Sequence, residues 1–148
     1  LYHTNFGYPL LDVNSVVATS KCSRSALNGE CKDFAHMRLP VDGRGEDLYF
    51  QTDLEKETTA VLYNPDLEIG GYIHWNTDNL PNFLEWQNVR SHEYVLALEP
   101  CNTCGLNRDS AVKEGKIAVL PAYSSIENDL EIGVLDGMAE ISSFIKNL

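Results

Sequence analysis

The sequence contains no run of roughly 18 uninterrupted apolar residues, so nothing in it reads as a membrane-spanning helix. It is also short of positive charge: 11 Lys and Arg stand against 22 Asp and Glu, a formal charge of −11 over 148 residues. Nucleic acid and anionic membrane surfaces are both recognised through a basic face, so this deficit argues against both as partners. A small uncharged ligand stays open, because it is read by local hydrogen bonds rather than by net charge. Internal repeats and low-complexity tracts are absent too. No secretory leader is visible, but the first residue is Leu1 rather than methionine, which leaves upstream sequence open.

Cysteine is sparse: Cys22, Cys31, Cys101 and Cys104. Cys101 and Cys104 form a C-x-x-C, yet the other two lack the close spacing that a second pair of zinc ligands needs. A redox C-x-x-C usually opens a helix, whereas Asn102-Thr103 reads as a polar loop after a strand. The expectation is ordinary free thiols in a reducing cytoplasm, with a Cys22–Cys31 disulfide only in an exported protein.

What is present is mostly β pattern. A chain of this length makes one domain, or part of a larger one. Val13–Thr19, Leu48–Thr52, Thr58–Tyr63, Leu67–Trp75, Phe83–Trp86, His92–Glu99, Lys116–Leu120 and Asp129–Leu135 read as short strands, punctuated by Gly, Pro and Asn. Gly70-Gly71 suggests a bulge or a close backbone approach. Ser20–Gly45 shows no sustained period and reads as a long loop. Met138–Leu148 alone has apolar residues at helical spacing. Many short strands with one late helix predict an all-β sandwich carrying a short C-terminal helix.

The candidates for chemistry are few. His3 opens the chain beside aromatics, and Glu99 ends the apolar run Tyr94–Leu98 just before Pro100. A histidine and a glutamate brought together from distant strands make an acid/base pair for proton transfer near neutral pH. The plain alternatives are a backbone-bonded terminal histidine and a solvated strand-end carboxylate. Trp86 and Trp75 could each offer a flat apolar platform to a ligand, or simply fill the core. Asn5, His74 and Arg90 are candidate polar contacts, with solvated or structural roles as the alternative for His74 and Arg90.

Three pieces stand in a particular order: His3-Thr4-Asn5-Phe6, Leu80-Pro81-Asn82-Phe83-Leu84-Glu85-Trp86, and Leu98-Glu99-Pro100. In that order they resemble the aldose 1-epimerases, the galactose mutarotase-like proteins, and in particular their diverged, DUF4432-like branch. Gly7 stands where many members have asparagine, and Pro100 with the cysteine loop replaces the usual residues after the glutamate. The resemblance implies a galactose mutarotase-like supersandwich, present here only in part. It implies interconversion of sugar anomers, with His3 as general acid, Glu99 as general base, a polar substrate contact at Glu46 or its neighbour Asp47, a small carbohydrate as ligand, and no metal or organic cofactor. A non-catalytic carbohydrate-binding module, or an inactive fragment of a larger sandwich, is the alternative. Family members are about twice this length, so the expectation is a C-terminal half that either lacks its N-terminal half or self-associates to cover an exposed core face. The two catalytic groups are expected on opposite sides of a sugar-sized hollow.

Overall fold

Alternation of apolar and polar side chains decides the layers of this protein. The computed structural model describes residues 1–28, 33–105 and 107–148. The strands are β1 (Thr4–Phe6), β2 (Val16–Thr19), β3 (Ser23–Ala26), β4 (Asp47–Thr52), β5 (Glu57–Asn64), β6 (Ile69–Asn76), β7 (Asn82–Arg90), β8 (Glu93–Cys101) and β9 (Leu130–Asp136). Two helices, α1 (Arg108–Lys113) and α2 (Met138–Ile145), complete the described elements. A five-stranded sheet in the order β1-β8-β7-β4-β3 faces a four-stranded sheet in the order β2-β5-β6-β9. All the strand pairs are antiparallel. The predicted all-β sandwich with a late helix is the observed architecture.

The core lies between the sheets. Phe83, Val89, Leu96 and Leu98 from one layer meet Val17, Ala60, Leu62, Ile73 and Trp75 from the other, all essentially buried. Fully burying each large side chain is worth about 1.5–3 kcal/mol, so this layer carries most of the folding drive. A second cluster seals the far face of the smaller sheet, where α2 lays Ile141, Phe144 and Ile145 against Val61, Tyr72 and Leu135. Among the described residues, no helix covers the far face of the five-stranded sheet in the same way; that face carries the site described below.

Two features show how the layers meet and where they stop meeting. A Cβ placed on Gly71 in β6 would lie 2.9 Å from Phe6 Cε1 and 3.2 Å from Leu10 Cδ2, so β1 presses onto bare backbone there. The β5–β6 register runs unbroken through Gly70 and Gly71. Of the two readings offered for the Gly-Gly pair, close approach is therefore observed and a bulge is not. Beyond β1 the larger sheet ends, while the smaller one continues into β9. Ile132 and Val134, opposite Ile73 and Gly71, share the core-side face yet are 63% and 73% exposed. An apolar strip of the inner face is thus left uncovered beside the edge of β1 among the described residues.

Other expectations need correction. Lys116–Leu120 joins no strand among the described residues. Its Val119 is 79% exposed, and a β-prone run without a neighbouring ladder gains nothing from being extended. Ser20–Gly45 is not wholly loop, since Ser23–Ala26 pairs with β4 as an edge strand. Helix α1 was not anticipated, although its signals are ordinary. Asn107 caps it by accepting from the Ser110 amide, Asp109 sits in the first turn and Lys113 in the last. Cys22, Cys101 and Cys104 are free thiols, while Cys31 lies outside the described residues.

Candidate active site

The far face of the five-stranded sheet is assembled by register. Directly opposed residues of an antiparallel pair point to the same side. Leu98 is opposite both Thr4 and Glu85, and these face the core. The intervening residues face outward. One rung runs Asn5–Ala97–Trp86–Leu48 across β1, β8, β7 and β4, and the next contains Glu99–Leu84–Phe50. The ladder continues past β1, where the Tyr2 amide donates to the Pro100 carbonyl at 3.0 Å. His3 therefore stands opposite Glu99, on the same outward face.

There the two side chains meet. His3 Nε2 lies 2.9 Å from Glu99 Oε1, the imidazole 45% exposed and the carboxylate 4% exposed. The expected placement on opposite sides of a hollow is not what the fold builds; the groups touch. Burial pushes the Glu99 carboxyl above its ordinary range, and the facing His3 pulls it partly back. The imidazole also sets its edge against Trp86, with ring centroids 5.6 Å apart and planes at 67°. Three residues far apart in sequence thus converge on one sheet face: two polar groups joined to each other and an aromatic ring beside them.

The remaining candidates divide. Asn5 is exposed on this face, two residues from His3 and on Trp86's rung. Glu46 is exposed just before β4, with β7 between it and the Glu99-bearing strand, roughly 10 Å across. Arg90 shares the face but lies four residues along β7 from Trp86, about 13 Å away, and its guanidinium is bonded to Glu93. His74 is placed elsewhere altogether. It lies on β6 in the other sheet and points away from the core, between Thr59 Oγ1 at 2.8 Å and Glu57 Oε2 at 3.4 Å. The local alternation Tyr72, His74, Asn76 opposes the core-facing Ile73 and Trp75, which rules it out of this site. Trp75 itself is core, 1% exposed and stacked on Phe83 at 5.3 Å, so of the two tryptophans only Trp86 is available as a platform.

Three residues of interest escaped sequence reading. Ala97 is buried between Asn5 and Trp86, and Leu84 stands opposite Glu99, both on this outward face. Their signal was available in the two-residue period of β7 and β8, once Trp86 and Glu99 were placed outward. Glu85 is the third. It is fully buried on the core side, where Gln87 Nε2 donates to its Oε1 at 2.7 Å and no described residue reaches its Oε2. Burial pushes it up to about 7, against the Gln87 hydrogen bond and the Arg24 charge. The same period turns it inward once Trp86 is placed outward, although a lone carboxylate in a strand gives no such signal by its residue type. Among the described residues, no group of three or more His, Cys, Asp or Glu side chains could hold a metal ion, and no helix is long and apolar enough to cross a membrane.

Known proteins resemble this chain in sequence profile and in fold. The profile of a family described as Domain of unknown function (DUF4432) matches residues 1–134. A provisionally assigned aldose 1-epimerase from Klebsiella pneumoniae subsp. pneumoniae MGH 78578 has a solved structure that superposes with a TM-score of 0.87 at 22% identity. The match covers 99% of this chain but 40% of that one. At such identity the likeness establishes the fold alone. No functionally curated protein matches.

Proposed function

The chain belongs to the DUF4432 family, and from that premise we propose that it carries the acid/base centre of an aldose 1-epimerase-like isomerase acting on a free sugar or sugar derivative. The observation that carries the reading is the 2.9 Å contact between His3 Nε2 and the nearly buried Glu99 carboxylate. Ring opening needs a base at the anomeric hydroxyl and an acid at the ring oxygen. Both oxygens are bonded to the same carbon, so the two catalytic groups must be neighbours, as His3 and Glu99 are.

Each step follows from the residues present. Glu99 takes the anomeric hydroxyl proton, the bond from the anomeric carbon to the ring oxygen breaks, and His3 delivers its proton to that oxygen. The aldehyde turns about its first carbon–carbon bond and recloses with the roles exchanged, giving the other anomer. Partial burial makes Glu99 a stronger base than a solvated carboxylate, and each proton transfer is worth about 10²–10⁴-fold. Trp86 and Leu84 supply the apolar surface on which a sugar face can rest. No step calls on a cofactor.

The aligned chain spans 40% of its structural neighbour, and His3 stands on an open face. Those two facts favour a second reading, a carbohydrate-binding module or an inactive fragment of a larger sandwich. Anomer exchange measured by NMR across a sugar panel separates them. Acceleration that disappears in Glu99→Gln supports the isomerase; calorimetric sugar binding without acceleration selects the binding module. Neither binding nor exchange points to a fragment that lacks the rest of its cleft.

A further inference from the structure

His3 precedes β1, and its own opposite number is Glu99 on β8, yet its ring also meets that of Trp86 on β7, with centroids 5.6 Å apart. Ala97 stands between Asn5 and Trp86 on the same face. Neighbouring strands lie about 4.8 Å apart, so side chains from the β1 side and from β7 meet over β8, and Ala97 is the β8 residue on Trp86's rung. There the side chain is one methyl group, and it is 0% exposed. The residues flanking it on β8 and facing the same way, Val95 and Glu99, are both larger.

Resting on the proposed acid/base reading, we infer that Ala97 is a positioning residue for His3. Its small side chain gives the clearance that lets the imidazole settle against Trp86 with Nε2 aimed at Glu99. A branched side chain at this position lifts the ring off Trp86 and turns Nε2 away from the carboxylate. Because Ala97 is covered, a sugar resting on this face does not touch it. Its enlargement therefore acts through His3 and not through substrate affinity.

The test is Ala97→Val, which suits a strand, with Ala97→Ser as the size-conserving control and Trp86→Leu as a second way of removing the ring contact. Two readouts are taken on the 148-residue chain. The first is the nuclear Overhauser contact between His3 and Trp86 ring protons, together with the His3 Nε2 nitrogen shift that reports its bond to Glu99. The second is the kinetics of anomer exchange. Expected for Ala97→Val are a lost His3–Trp86 contact, an Nε2 shift matching that of Glu99→Gln, and a kcat lower by about 10²-fold with KM within about twofold, the scale of an ångström-sized misplacement. Ala97→Ser keeps all wild-type values. A retained contact with unchanged kcat, or a raised KM at unchanged kcat, overturns the inference. Should Ala97→Val fail to fold, Trp86→Leu decides: an unmoved Nε2 shift there overturns it. If the wild-type chain shows no exchange activity, the isomerase reading fails, while the spectra still decide whether Ala97 positions His3.

Discussion

The carboxylate of Glu99 and the imidazole of His3 stand 2.9 Å apart although 95 residues of chain lie between them. The antiparallel pairing of β1 with β8 brings them together, and the almost complete burial of the glutamate makes their contact matter. Their dependence on each other is testable. His3→Gln and Glu99→Gln are each expected to slow anomer exchange by about 10²–10⁴-fold. The double variant should be little slower than the worse single one, because the two act as a unit. Exchange spectroscopy measures all three. Removing His3 should also raise the Glu99 carboxyl further, since the facing imidazole is what lowers it; a carbon-13 titration of Glu99 checks the direction.

Glu85 predicts a pH dependence of stability. Burial raises it to about 7, so the folded protein holds a proton that the unfolded chain has released. Folding therefore takes up a proton between the ordinary carboxyl range and about pH 7. The stabilisation is complete below that range, falls as pH rises through it, and is gone above about 7. The span corresponds to at most about 3 kcal/mol. Glu85→Gln should flatten this slope in urea unfolding followed from pH 5 to pH 8; an unchanged slope assigns it to other groups.

The two tryptophans should behave differently. Trp75 is enclosed against Phe83, and Trp75→Ala is expected to cost about 3–5 kcal/mol of unfolding free energy. Trp86 is half-buried on the open face. Trp86→Ala should cost less stability but abolish most sugar binding and exchange. Denaturation midpoints set beside calorimetric affinities test the contrast.

Gly71 connects the core to the site. Its missing side chain leaves room for Phe6, three residues after His3. Gly71→Ala should cost about 1–3 kcal/mol through overpacking and lower exchange activity as β1 lifts. Restored activity in Gly71→Ala combined with Phe6→Leu would confirm that the effect passes through that contact.

The uncovered strip gives a prediction about neighbours. Ile132→Thr and Val134→Thr should each change the stability of the 148-residue chain by less than about 0.5 kcal/mol, being already exposed. Ile73→Ala, directly opposite Ile132 but wholly buried, should cost about 2–5 kcal/mol. Thermal and urea unfolding of the three variants provide the comparison. Equal costs would mean that something covers the strip in solution.

Much of the fold was readable in the sequence because strands write their burial into a two-residue period. Leu48–Thr52, Thr58–Tyr63 and His92–Glu99 all fall on observed strands, within a residue or two of their ends. Where a run lacked a partner the reading failed, as at Lys116–Leu120, since pairing depends on a neighbour that composition does not reveal. Ser23–Ala26 failed in the opposite direction: a polar edge strand has little apolar signal, and its pairing to β4 supplies the order. At the site, His3, Glu99 and Trp86 were legible through their residue types and order. His74 was misplaced because nothing local distinguishes the outer face of one sheet from that of the other.

The sequence by itself determined the class of the protein. Alternating short strands required two layers with a dry interior, and the excess of carboxylates disfavoured polyanionic partners. The tertiary structure alone decided that His3 and Glu99 touch, that Trp86 rather than Trp75 faces outward, that Ala97 leaves the gap between them, and that Glu85 is sealed in the core. The physical reason is that strand periodicity is local, whereas register and layer assignment depend on long-range pairing that fixes which faces meet.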